Sequence, residues 1–177
     1  MKRIKTLVTI LVIVFGITSW LSAKGGQHKI RFTAGIGSTS SVDTTIGTGN
    51  KTALRIGGTG LYRISKLIGV GVDLGFVKAY KREFNNFNFT VSYFTLLTMI
   101  EFNLLKNDLL IFQIGQGGYM ATGNNTGSEY GLRLGGGVDI PVGSNISIPI
   151  LLRTDFIFAS DMVVPITINA GITIKIK

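Results

Sequence analysis

The sequence predicts an all-β fold, an eight-stranded antiparallel up-and-down transmembrane β-barrel, and three observations predict it. From Lys29 onward apolar residues recur at every second position, segment after segment, rather than every third or fourth. The face opposite the apolar one consists of Gly, Thr, a few arginines and a few carboxylates, instead of the Lys, Glu, Ser and Asn of a solvated sheet. The last such segment runs to Lys177 with nothing after it.

The first segment, KIRFTAGIG, puts Ile30, Phe32, Ala34 and Ile36 on one face and Arg31, Thr33, Gly35 and Gly37 on the other, which is the side-chain period of a strand. The second sets Leu54, Ile56, Tyr62 and Ile64 against Arg55, Gly57, Thr59 and Arg63. The third sets Val70, Val72, Leu74 and Phe76 against Gly71, Asp73 and Gly75. The fourth, Phe89 to Leu104, alternates less cleanly, with Phe94, Leu96, Ile100, Phe102 and Leu104 opposing Tyr93, Thr95, Glu101 and Asn103. In the fifth, Leu110, Phe112 and Ile114 oppose Gln113, Gly115, Gly117 and Tyr119. In the sixth, Tyr130, Leu132, Leu134, Val138 and Ile140 oppose Gly131, Arg133, Gly135, Gly137 and Asp139. The seventh has Ile146, Ile148, Ile150, Leu152, Phe156 and Phe158 against Ser147, Arg153 and Asp155, and the eighth is ITINAGITIKIK from Ile166.

The connections alternate in character. Short turns at Ser65 (SKL), Lys106 to Asp108 and Pro141 to Asn145 follow the even strands. Longer polar links, Thr39 to Asn50, Lys81 to Asn88 and Ala121 to Ser128, follow the odd ones, with a shorter link at Ala159 to Met162. One end is therefore expected to be tight and the other looped. Pro149 forfeits a ladder bond and is expected near the turn end, at a bulge.

The space-saving residues decide which face is inside. Lipid accepts any bulky apolar group, whereas an eight-stranded cylinder has little interior room. Arg31, Arg55, Arg133 and Arg153 share the small-residue face with Asp73, Glu101, Asp139 and Asp155. Buried charges persist when paired, so these eight are expected to form a luminal ion-pair network that plugs the barrel. Outward aromatics form two groups, Phe76, Tyr80, Tyr130, Phe156 and Phe158 near the looped end and Phe32, Tyr62, Phe102 and Phe112 near the turn end, as interfacial girdles would. A C-terminal strand must pair with the first, because an open edge is not tolerated in lipid.

The mean hydropathy of +0.41 fits dispersed apolar content, for after Ile17 no apolar run reaches the length of a spanning helix. Residues 1–23 read as a signal peptide: Lys2, Arg3 and Lys5, then Leu7 to Ile17, then small and polar residues to Ala23. An uncleaved anchor helix is the alternative, since Leu21 is a mediocre residue three from the cut. The barrel domain is then 24–177, and its formal charge falls from +9 to +6. No Lys/Arg run of nucleic-acid type is present. With no cysteine there is neither a disulfide framework nor a thiolate metal site, and no metal-ligand spacing or phosphate-loop motif points to a cofactor. The single His28 is expected on an arm before the first strand, at the end opposite the loops, so a Ser-His hydrolase is excluded by topology and no enzyme activity is expected. At the outer rim, Lys78, Tyr80, Lys81 and Arg82 form a basic, aromatic patch that could pair with anionic groups.

In this pattern the mature chain resembles the small bacterial outer-membrane β-barrels of the OmpA, OmpX and opacity-protein class. The most specific residues are Asn169, Gly171, Ile174 and Ile176, which match that class's assembly signal of a polar residue, a Gly two later, and hydrophobic residues three and five beyond it. The departure is that the class usually ends on Phe or Trp, whereas here Ile176 is followed by Lys177. The resemblance implies a monomer in the outer membrane, with outer-membrane lipid, including lipopolysaccharide, and the barrel assembly machinery as partners. Its implied role is envelope integrity or surface interaction through the loops, with a host or surface ligand not named by any residue. A narrow porin-like channel for small or apolar solutes stands as the alternative, and a secreted soluble β-sandwich or lipocalin-like binder as a third reading. N-terminal sequencing of the membrane-extracted protein is expected to begin at Lys24; a read beginning at Met1 would establish the anchor helix instead.

Overall fold

Eight alternating segments become eight strands: β1 (His28–Ser41), β2 (Thr52–Arg63), β3 (Ile68–Phe84), β4 (Phe87–Asn103), β5 (Leu110–Thr122), β6 (Ser128–Pro141), β7 (Ile146–Phe158) and β8 (Met162–Ile176). The computed structural model describes residues 27–41, 52–84, 87–105, 109–122, 127–159 and 162–176, with the side chains of residue 41 and of 80–90 outside that description. The expected leader, residues 1–23, and the turn at Lys106 to Asp108 also lie outside the described residues.

Each strand pairs antiparallel with the next, and β8 returns to β1, closing the barrel. The seam runs from His28 opposite Ile176 to Ser41 opposite Val163, so the last strand is not an edge. In lipid each unpaired backbone group would cost several kcal/mol, so closure is a condition of the fold rather than an addition to it. The seam is close-packed at two glycines. A Cβ on Gly37 would stand 1.8 Å from the Ile166 carbonyl oxygen, and one on Gly171 would stand 1.8 Å from that of Phe32. At these points only glycine lets the backbones approach.

The two faces are sorted as in a membrane barrel. Phe32, Ile56 and Ile168 face outward with 58, 63 and 61% of their surface exposed, while Arg31, Asp73 and Arg133 inside have none. Outward rings stack across strands: Tyr130 lies on Phe158 at the looped end, with centroids 6.3 Å apart and planes 12° apart, and Phe102 meets Phe112 at the turn end. Such cross-strand pairs stabilise a sheet by about 0.2–1 kcal/mol each.

Several expectations are corrected. Lys81 to Asn88 is not simply a link: β3 and β4 keep pairing as far as Phe84 opposite Phe87, because phenylalanines flank Asn85 and Asn86 on both sides and favour extended backbone. Likewise β1 runs on to Ser41, past the expected start of its link at Thr39. Pro149 sits near the turn end, but without a bulge. The β7–β8 pairing skips Ile148 and Pro149 and resumes in the same register at Ile150 opposite Ala170, so the missing N–H opens the ladder locally without shifting it. The bulge occurs instead at Ala79, between Lys78 opposite Ser92 and Tyr80 opposite Val91, where the Ala79 carbonyl accepts a hydrogen bond from the Thr39 hydroxyl. His28 is the first residue of β1 rather than part of an arm, its ring 5.3 Å from that of Tyr62. Tyr62 is buried, and does not present an open girdle ring.

The unboiled protein in SDS is expected to run as a compact band that shifts on heating, and Gly37→Val, which forces the seam apart, is expected to abolish that band; an unshifted band for the parent chain would refute closure.

Candidate functional site

The alternation that sends isoleucines outward sends a second set of side chains into the lumen, and all eight strands contribute to it. Near the turn end, Glu101 of β4 is the acceptor centre. Arg31 Nη1 donates to its Oε2 at 2.5 Å, Gln113 Nε2 to the same oxygen at 2.8 Å, and Lys29 Nζ reaches Oε1 at 3.4 Å. Lys29 also donates to Asn103 Oδ1 at 2.9 Å, and Arg31 to Thr173 Oγ1 at 3.0 Å and to Asp139 Oδ2 at 3.4 Å.

The middle of the lumen is organised on Asp73 of β3. Arg55 Nη2 and Arg133 Nη1 both donate to its Oδ1 at 2.5 Å, and Thr59 Oγ1 donates to Oδ2 at 2.6 Å. Arg133 spans to a second carboxylate, donating from Nε to Asp155 Oδ1 at 2.6 Å, where the Tyr119 hydroxyl also donates at 2.6 Å. Arg153 differs from the other arginines in its partners: it donates to Thr33 Oγ1 at 3.0 Å and to Gln113 Oε1 at 3.3 Å. Desolvating these charges is expensive, and their mutual attraction offsets the cost best at Glu101, Asp73 and Asp155, each of which collects more than one donor, whereas Asp139 takes a single one among the described residues, from Arg31 at 3.4 Å. The carboxylates are thereby engaged as structural acceptors.

Towards the looped end the interior changes character. Ala79, Tyr93, Tyr119, Ile157 and Val163 form an apolar layer that continues through Leu97 and Met99 to Leu61. Tyr93 and Tyr119 meet edge to face with centroids 6.2 Å apart, and Tyr119 joins the two regions because its ring is in this layer while its hydroxyl reaches Asp155.

Arg31, Arg55, Arg133, Arg153, Asp73, Glu101, Asp139 and Asp155 thus all lie buried in one lumen. Lys29 completes this set and was missed by sequence reasoning, although it stands two residues before Arg31 and so shares its face. Inward Leu97 and Met99 were missed too, because adjacent apolar residues in TLLTMI obscure the two-residue period. Of the rim patch, Lys78 is half-buried on β3, whereas the side chains of Tyr80, Lys81 and Arg82 lie outside the described residues. Asn169 points inward and donates to Thr167 Oγ1 at 2.9 Å, and Ile174 and Ile176 face outward on β8. Among the described residues no cluster of three or more His, Cys, Asp or Glu could hold a metal ion.

No family model and no curated protein matches the sequence. Solved structures do match the fold. Neisserial surface protein A shares 16% identity at a TM-score of 0.59, over 84% of this chain and 96% of that one. The outer membrane protein OprG from Pseudomonas aeruginosa shares 12% at 0.58, over 85 and 96%. Ail, the attachment invasion locus protein of Yersinia pestis, in complex with the heparin analogue sucrose octasulfate, shares 14% at 0.51, over 84 and 98%. The architecture is that of the small eight-stranded outer-membrane barrels.

Asp73→Asn removes the charge that holds Arg55 and Arg133 and is expected to destabilise the barrel by about 3–5 kcal/mol, against about 1 kcal/mol for Thr59→Val. Urea unfolding from lipid vesicles measures both, and equal small losses would show that the pairing contributes little.

Proposed function

We propose that this chain is an integral protein of the bacterial outer membrane, without enzymatic activity, whose lumen is plugged by its own side chains and whose role is envelope integrity or surface interaction through the loops. One observation supports this reading above the rest: side chains from all eight strands meet inside the barrel, hydrogen-bonded from Lys29 and Glu101 through Arg133 and Asp155 and packed in an apolar layer around Tyr93 and Val163. A channel would keep such groups solvated around an open axis, and a soluble binder would turn Ile56 and Ile168 inward. Under this reading the leader 1–23 directs export, Asn169, Gly171, Ile174 and Ile176 present β8 to the assembly machinery, and the barrel is a monomer in lipid.

The rim cations supply the interaction chemistry. Lys78 stands at the last pairing of β3 with β2, opposite Leu54, and Lys81 and Arg82 follow it along β3 beyond that pairing. Lipopolysaccharide phosphates, or a polysulfated glycan such as the analogue bound to the Yersinia pestis protein, are the anions that such a patch would take.

Two measurements test the proposal. In planar bilayers the parent protein is expected to show near-zero conductance, with leakage appearing in Arg133→Ala; a steady parent conductance would favour the channel. Lys81→Glu with Arg82→Glu is expected to weaken binding to lipopolysaccharide vesicles by more than the roughly thirtyfold that loss of two surface cations at about 1 kcal/mol each would give, because two repulsive charges replace them. Unchanged binding would remove the patch from the proposal.

A further inference from the structure

Among the described residues the buried cations of the lumen outnumber its buried carboxylates. Lys29, Arg31, Arg55, Arg133 and Arg153 are all buried, and the buried carboxylates among the described residues are Asp73, Glu101, Asp139 and Asp155. The ion pairs join Lys29 and Arg31 to Glu101, Arg31 to Asp139, Arg55 and Arg133 to Asp73, and Arg133 to Asp155. Arg153 is in none of them, and its hydrogen-bond acceptors, Thr33 and Gln113, are neutral.

Three of its neighbours are cations. Arg153 is paired with Gly135 while Arg133 is paired with Asp155, so the two arginines stand diagonally on adjacent strands. Thr33, which holds Arg153, is paired with Gly57, and the Arg55 guanidinium lies over Gly57, its Nη2 3.2 Å from where a Cβ would be. Arg55, Arg133 and Arg31 repel Arg153, while Asp73, already shared by Arg55 and Arg133, attracts it without forming an ion pair with it. The same three guanidinium groups of Arg55, Arg133 and Arg153 carry unused donors: Arg55 Nε and Nη1, Arg133 Nη2 and Arg153 Nε have no hydrogen-bond partner.

We propose that the lumen binds one small monovalent anion of the halide class among Arg55, Arg133 and Arg153. A guanidinium has donors only and stays charged under all ordinary conditions. A water molecule could occupy the unused acceptors Asp139 Oδ1 and Asp155 Oδ2, but it cannot carry the missing negative charge. A monatomic anion needs the least room of any anion and only N–H donors as partners, and among the described residues it brings the enclosed charge to balance. The proposal rests on the plugged-lumen reading, and its test does not use conductance, so the two can fail separately.

The test is the heat-shift midpoint of the mature, detergent-extracted protein at constant ionic strength with chloride replacing gluconate. A bound anion makes the midpoint climb with the logarithm of chloride concentration. Arg153→Gln, which removes the excess charge, is expected to lose this dependence. Should that variant not fold, Thr33→Asp places a carboxylate beside Arg153 and is expected to make the midpoint independent of chloride. Crystals grown in bromide are expected to show an anomalous peak between the three guanidinium groups. Equal midpoints in chloride and gluconate, chloride dependence retained in either variant, or bromide absent from the lumen would each overturn the proposal.

Discussion

The closing seam between β1 and β8 is the constraint on which the rest of the molecule depends. A backbone N–H or C=O facing hydrocarbon has no water to fall back on, so a sheet in lipid must end on itself. Closure with eight strands then sets a narrow cylinder, and the narrow cylinder dictates which residues go inside. Gly37 and Gly171 show the tightness at the seam itself, each lying less than 2 Å from the opposing carbonyl oxygen when given a Cβ.

A small interior that is also closed has to solve a charge problem. Asp73 and Glu101 do so by each collecting donors from several strands at once, which turns two carboxylates into crosslinks of the wall. These bonds join residues as far apart in sequence as Arg31 and Thr173, and breaking any one charged group leaves its partners stranded in a medium of low dielectric. Tyr119 links this polar region to the apolar layer above it, its ring in one and its hydroxyl bonded in the other. The wall and the side chains inside it are in this sense the same object. At the looped rim β3 and β4 continue beyond their other neighbours as a pair.

Much of this was legible before any coordinates. The period of two, the bulky face opposite a small one, and the near balance of Arg and carboxylate on the small face determined a closed barrel turned outward to lipid, because side-chain volume and the period of a strand are properties of residues and their spacing alone. The eight network residues could be assigned to one face for the same reason, as could Lys29, had the alternation been followed back one step from Arg31. Register, bulges and pairing partners were not legible. Pro149 shows why: a residue can forfeit a hydrogen bond either by a bulge or by a gap in the ladder, and only the neighbouring strands determine which. The bulge falls instead at Ala79, a residue that the sequence leaves unmarked, where Thr39 of a strand forty residues earlier bonds its carbonyl. Nor could composition show that Arg153 would meet Thr33 and Gln113 while Arg133 took two carboxylates, since that choice depends on the stagger of strands around the barrel. The sequence by itself determined which side chains enter the lumen; the tertiary structure alone decided which of them touch, because contacts across a closed barrel are set by shear and register rather than by order along the chain.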